Sequence, residues 1–305
     1  MFTFSVFLLL CSVFTGYFTF EISHLSPLDY NVLKNLPSLW KSLPAGFKYK
    51  YVDASGVIHK SKPSVNAVEV AASPSVSGRA HYDAALIVSH MIRHMPSSIF
   101  SRVSTHGSVG VFTKSEKLTI YPEYYRLANT PECHNRCDGS CKRTCTFDGR
   151  KYETMAAVGG KRAAILDDNV MCTSRDPYHH RENLLVHEFA HVILSRGLNQ
   201  TMHNKVKSAY THAKSKALWA SSAYVMTNYN EYFAEATAAW YNVIHRNSAG
   251  GMNKCGTSHH CPSASQARAY IHKHDPRLYD ILNYVYNNGN VNLPGGITTC
   301  IEDKK

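Results

Sequence analysis

Residues 182–196 read ENLLVHEFAHVILSR, and this stretch contains His187, Glu188 and His191 in an HExxH arrangement. Its apolar residues recur with a helical period, and Gly197 follows where a helix would end. Side chains four positions apart lie on one face of a helix, so the two imidazoles can converge on one metal ion. Glu188 lies beside them, where it can take a proton from a metal-activated water. The stretch therefore predicts a zinc centre on a helix.

A second stretch, NYNEYFAE at residues 228–235, supplies carboxylates for the same ion. A catalytic zinc usually has three protein ligands and an open position, so a third ligand is expected from a downstream element. Glu231 and Glu235 lie one helical turn apart, and one can bind the metal while the other accepts a hydrogen bond from a ligand histidine. The apolar neighbours of these carboxylates predict a buried helix, and Asn228 is a candidate for its N-cap.

The rest of the chain predicts a mixture of helices and short strands. Helical periodicity is present near residues 81–96, 205–220 and 276–286, while SVGVFTK, KLTIYPE and AAILDD are typical of strands or extended segments. The Ser- and Pro-rich segment at residues 60–79 predicts a linker. We therefore expect a propeptide or N-terminal extension over residues 17–79 and a catalytic domain over residues 80–305.

The first twenty residues, MFTFSVFLLLCSVFTGYFTF, carry no charged side chain. The small residues Thr15 and Gly16 offer a cleavage point, which predicts a signal peptide over residues 1–16 and secretion to the extracellular space. The alternative is a signal anchor, because about twenty uncharged residues can cross a bilayer if they are not removed. If the segment is cleaved, we expect no stable membrane insertion.

Eight cysteines remain beyond Cys11, an even number that predicts up to four disulfides in an oxidising compartment. Four of them form an insertion at residues 133–145, where secretion and the interruption by Gly139 favour disulfides over a structural zinc site. His259 and His260 are expected in a surface loop closed by Cys255 and Cys261. The net charge of +11 is scattered without a nucleic-acid-binding motif, so no nucleic-acid partner is expected.

HEFAH followed by NYNEYFAE resembles the gluzincin metallopeptidases, and specifically the catalytic domain of anthrax toxin lethal factor and the secreted lethal-factor-like proteins. The resemblance covers roughly residues 80–290. It implies a zinc site in which His187, His191 and Glu231 bind the ion and Glu188 is the general base. It further implies that Glu235 is the carboxylate that supports a ligand. In this family a tyrosine shortly before the ligand glutamate assists the oxyanion.

Tyr224 is our candidate for that tyrosine, with Tyr229 as the alternative. The expected fold is an α+β zincin-like domain that is mostly helical, with a small mixed sheet. The expected function is a secreted endopeptidase with one catalytic zinc that acts on peptides or proteins. The alternative is a secreted zinc-containing binding or toxin-like protein without peptidase activity, although a purely structural site would usually be closed by a fourth protein ligand.

Overall fold

The computed structural model describes residues 43–146, 149–289 and Ile297, which form an α+β domain. Its strands are β1 (Lys48–Asp53), β2 (Ile58–His59), β3 (Ala67–Ala72), β4 (Ser108–Phe112), β5 (Ala157–Gly159) and β6 (Arg162–Leu166). They form a six-stranded sheet with the order β2-β1-β3-β4-β6-β5. The β3–β4 and β4–β6 pairs are parallel and the other pairs are antiparallel, so the sheet is mixed.

The helices pack around this sheet and form most of the second half of the domain. They are α1 (Gly78–Ile92), α2 (Ser97–His106), α3 (Asp167–Val170), α4 (Leu184–Val192), α5 (Gln200–Ser215), α6 (Tyr229–Trp240), α7 (Ala264–His274) and α8 (Pro276–Asn287). Strands β4 and β6 are buried along their whole length, as expected for strands with both faces covered. The prediction of a mostly helical zincin-like fold with a small mixed sheet is confirmed.

Two local predictions were wrong. The predicted linker at residues 60–79 contains β3, which lies between β1 and β4 in the sheet. Its sequence AVEVAA alternates around Glu69, but flanking Ser and Pro residues obscured this short strand. KLTIYPE forms a 3-10 helix at Leu118–Ile120 instead of a strand, with Leu118 and Tyr121 buried.

The division of the chain at residue 79 stays a prediction, and the signal-peptide residues lie outside the described part of the chain. The sheet nevertheless connects residues on both sides of that position, because β3 pairs with β4. A propeptide that ended at residue 79 would take β1, β2 and β3 with it on removal. The N-terminal strands are thus structurally part of the domain that carries the HExxH helix.

Disulfides close the two cysteine-containing loops as the sequence predicted. Cys133 pairs with Cys141 and Cys137 pairs with Cys145 within the insertion. Cys255 pairs with Cys261, and this bond encloses the exposed His259 and His260. Cys172 is also disulfide-bonded. Within the described residues, no helix has the length and apolarity needed to cross a membrane.

Candidate metal centre

Helix α4 places the HExxH residues in the protein interior. Asn183 begins the helix, and its side-chain oxygen accepts a hydrogen bond from the Val186 amide at 3.2 Å. Every residue of α4 is buried, and the helix continues as a π turn over Ile193–Gly197. The helix contacts β5, β6 and α6. His187, Glu188 and His191 are therefore fixed by packing on several sides.

Helix α6 carries the two candidate carboxylates towards α4. The Asn228 side chain caps this helix, because its oxygen accepts hydrogen bonds from the amides of Asn230 at 2.8 Å and Glu231 at 3.1 Å. Glu231 and Glu235 are both fully buried. The predicted N-cap is present, and it fixes the backbone one turn from the first carboxylate.

Three side-chain atoms form a nearly equilateral triangle between α4 and α6. His187 Nε2 and His191 Nε2 are 3.1 Å apart, and each lies 3.3 Å from Glu231 Oε2. Zinc bound at about 2.0–2.1 Å in a tetrahedron separates neighbouring ligand atoms by roughly 3.3 Å. The side chains therefore fit a zinc ion with three protein ligands.

The electrostatic surroundings keep the Glu231 side chain in its carboxylate form. Burial opposes ionisation, but His191 and His187 hold the pKa of this carboxyl well below its ordinary value. A negatively charged oxygen beside two imidazole nitrogens is a donor set that suits zinc.

On the other side of the His187 ring, two carboxylates approach its second nitrogen. His187 Nδ1 lies 3.4 Å from Glu182 Oε1 and 3.9 Å from Glu235 Oε1. Glu182 Oε2 also accepts a hydrogen bond from Arg246 at 2.9 Å, while Glu235 Oε2 accepts one from Ser248 at 3.2 Å. Glu182 is thus the carboxylate nearer to His187 Nδ1, and no sequence motif predicted it.

The segment after α6 returns to the residues just before α4 and carries Arg246 and Ser248. A backbone bridge joins Glu182 to Ile244, and the His245 amide donates to the Arg181 carbonyl at 2.7 Å. The side-chain amide of buried Asn253 donates to the carbonyls of Ile244 at 2.9 Å and Arg246 at 3.2 Å. No local sequence signal marks this arrangement, because Arg246 is 64 positions from its partner Glu182.

Glu188 lies against the edge strand of the sheet. A methyl group at Gly159 of β5 would be 2.7 Å from Glu188 Oε2 and 2.8 Å from both the Glu188 carbonyl oxygen and His191 Cβ. Only a residue without a side chain allows the strand and helix to approach this closely. A ligand-type atom of Glu188 also lies within 4.8 Å of those of His187 and His191.

The two candidate tyrosines have different surroundings. Burial and the charges of Glu231, Glu235 and Glu188 raise the pKa of Tyr224 well above its ordinary value, and its hydroxyl contacts the Glu231 side chain. Tyr229 is half-buried, and its ring lies 5.0 Å from the Lys207 ammonium. Burial alone raises the pKa of Tyr229. The electrostatic contacts to the candidate metal centre therefore belong to Tyr224.

The fold and the donor atoms together define a zincin-like zinc metallopeptidase. A family model described as "Anthrax toxin lethal factor, N- and C-terminal domain" matches residues 76–249, which is more than half of the chain. The chain belongs to this family. The matched region contains α4, α6 and the returning segment that carries Arg246 and Ser248.

Comparison with solved structures gives a likeness to the Pro-Pro endopeptidase PPEP-2 from Paenibacillus alvei. The TM-score is 0.42 with 17% sequence identity, over 70% of this chain and 95% of that chain. The comparison with curated proteins gives no match.

Proposed function

We propose that this protein is a secreted zinc-dependent endopeptidase, in which His187, His191 and Glu231 hold one zinc ion. The observation that carries the proposal is the triangle of ligand atoms with separations of 3.1–3.3 Å. Glu188 lies next to this triangle as an additional buried carboxylate. Three protein ligands with an open fourth position are typical of catalytic zinc, whereas structural zinc usually has four protein ligands.

Bound zinc supplies Lewis-acid chemistry that polarises a carbonyl and acidifies water. Glu188 takes the proton from the attacking water and passes it to the leaving amine. Its contact with Gly159 restricts where the carboxylate can move. The base therefore stays within reach of a peptide that lies along the edge strand β5.

Tyr224 donates a hydrogen bond to the oxygen that becomes negative on the substrate carbonyl. The high pKa of its phenol keeps the proton on the oxygen throughout the physiological range. The hydroxyl is therefore a permanent donor, and a donor positioned before the reaction stabilises developing charge without reorganisation. Tyr229 contacts Lys207 instead, so we assign this role to Tyr224.

Glu182 and Glu235 orient the imidazole of His187 through the negative charges that they place on its Nδ1 side. Such outer carboxylates fix the tautomer and raise the basicity of a ligand histidine. Glu182 is the principal positioning residue because it is closer, at 3.4 Å against 3.9 Å. Arg246 holds the second oxygen of Glu182 and compensates its buried charge.

The substrate is a peptide or protein, and the site of action is extracellular. The three disulfides described above fit an oxidising compartment. The signal peptide over residues 1–16, with a signal anchor as its alternative, and the boundary near residue 79 belong to this proposal as predictions. Sequencing the mature N-terminus tests them directly.

The decisive experiment is peptide-library cleavage by the purified protein and by its Glu188→Gln variant, with a zinc determination on both. We expect about one zinc per chain in each protein, chelator-sensitive cleavage by the unmodified protein, and a loss of at least about 10³-fold in the variant. The variant keeps the size of the side chain and removes the base.

Two outcomes would overturn the proposal. Zinc binding without cleavage by the unmodified protein would favour a zinc-containing binding or toxin-like protein. Cleavage that survives both Glu188→Gln and complete zinc removal would show that the activity comes from another site.

A further inference from the structure

Helix α5 lies in an unusually basic part of the sequence. Between Glu188 and Glu231 the chain has no Asp or Glu, but it has five Lys or Arg residues. Four of these are exposed lysines on or next to α5, namely Lys205, Lys207, Lys214 and Lys216. None of the four forms an ion pair within the part of the chain that the structure describes. Their charges are therefore available to an acidic partner.

The four lysines occupy two opposite flanks of the helix. At about 100° per residue, Lys207 and Lys214 point within about 20° of each other, and so do Lys205 and Lys216. The two pairs lie roughly 160–180° apart around the helix axis. The buried residues Met202, Val206, Ala209 and Ala213 separate the flanks on the core side.

Among the described residues, the flank with Lys207 and Lys214 is the one that contacts the segment carrying Tyr224 and Tyr229. The Lys207 ammonium lies 5.0 Å from the ring of Tyr229, two positions before Glu231. The Lys214 ammonium donates to the Tyr210 hydroxyl at 3.2 Å. That hydroxyl donates to the Met226 carbonyl at 2.9 Å, in the 3-10 helix that begins with Tyr224.

These contacts hold the ammonium groups without neutralising them. A cation over an aromatic ring is attracted by the ring but keeps its full charge for other partners. Lys207 and Lys214 thus form a fixed pair of positive charges beside the start of α6. We call this pair the basic flank of α5.

We propose that the basic flank of α5 binds acidic side chains of the peptide substrate and gives the enzyme a preference for acidic sequences. This inference rests on the proposed peptidase function. Seven residues of helix separate the two lysines by about 10 Å. A peptide in the polyproline II conformation has three residues per turn and rises about 3.1 Å per residue, so carboxylates three residues apart lie on one side at about 9 Å and match the flank.

The first experiment compares matched peptides that share one cleavage site. One peptide carries two Glu residues three positions apart, and its partner carries Gln at both positions. We expect the Glu peptide to have a KM about three- to tenfold lower with a similar kcat, because charges at the edge of a binding site act mainly on association. This difference in KM should shrink as the salt concentration rises from about 0.05 to 0.5 M, because dissolved ions screen the attraction between exposed charges.

Two double variants test whether the basic flank of α5 causes the preference for the Glu peptide. We expect the double substitution Lys207→Glu and Lys214→Glu to abolish or reverse the preference for the Glu peptide. Lys205→Glu with Lys216→Glu makes the same change in net charge on the opposite flank of the same helix, and we expect it to keep the preference. All four side chains are exposed, so both variants should fold and retain zinc.

The outcomes separate this inference from the proposed function. Cleavage of both peptides with equal KM would overturn the acidic preference while leaving the peptidase assignment intact. An equal loss of preference in the two double variants would show that net charge, not the basic flank, is responsible. Absence of any cleavage by the unmodified protein would contradict the proposed function first and this inference with it.

Discussion

Replacing Glu182 with Gln tests how the protein orients His187, the proposed zinc ligand. The substitution keeps the side-chain shape but removes the charge 3.4 Å from His187 Nδ1. Loss of an outer carboxylate typically weakens metal binding 10–100-fold, which corresponds to about 1.4–2.7 kcal/mol. Glu235→Gln is the matched comparison, and we expect a smaller loss because its carboxylate is 3.9 Å from the same nitrogen.

Zinc affinity is measured by competition with a chromogenic chelator, which needs no substrate. Glu182→Gln also leaves Arg246, whose side chain is only 12% exposed, without its charged partner. We expect this to lower the free energy of unfolding of the zinc-free protein by about 1–3 kcal/mol. The double variant Glu182→Gln with Arg246→Gln removes both charges and should recover part of that stability.

The zinc affinity of the double variant should not recover. A positioning role for Glu182 predicts that weak zinc binding persists after stability returns, whereas a purely structural role predicts that both recover together. The reasoning would be refuted if Glu235→Gln weakened zinc binding more than Glu182→Gln. In that case the carboxylate expected from the sequence, and not the nearer one in the structure, would support His187.

Two further predictions concern Tyr224 and His245. We expect Tyr224→Phe to lower kcat by about 10²-fold with zinc binding retained. Tyr229→Phe keeps its ring beside Lys207 and should leave kcat within about twofold. Equal losses of kcat in the two variants would contradict the assignment of the oxyanion role to Tyr224. Burial and His260 lower the pKa of His245 from 6.5 to about 4, so the unfolded chain binds the extra proton between these values. The free energy of unfolding should therefore fall as the pH falls through this window. We expect a decrease of about 1 kcal/mol between pH 7 and 5, which is half the full linkage value because the His245 side chain is partly exposed. Urea unfolding of the protein and of His245→Gln measures this, and an unchanged pH dependence in the variant would exclude His245 as its source.

The core of the candidate site could be predicted from local patterns. His187, Glu188 and His191 lie within one helical turn of one another, so their geometry follows from helix periodicity alone. The cap by Asn228 is also local, because its side chain bonds to amides two and three residues away. These features require no knowledge of how distant segments pack.

The surroundings of the site could not be predicted in the same way. Arg246 meets Glu182 only because the chain turns back after α6, and Gly159 meets Glu188 only because β5 is the edge strand beside α4. Strand β3 was missed for a related reason. Its short AVEVAA sequence is stabilised by neighbours on both sides, and a strand of this length has little intrinsic preference of its own.

The sequence by itself determined the HExxH helix, the helix that carries Glu231 and Glu235, and the spacing of the candidate residues on each, because a helix converts sequence separation into direction. Only the tertiary structure decided which carboxylate lies nearer to His187 Nδ1, which tyrosine contacts Glu231, and which flank of α5 lies beside the start of α6. Those choices depend on distances between segments that are remote along the chain. Packing sets such distances, and no local pattern encodes them.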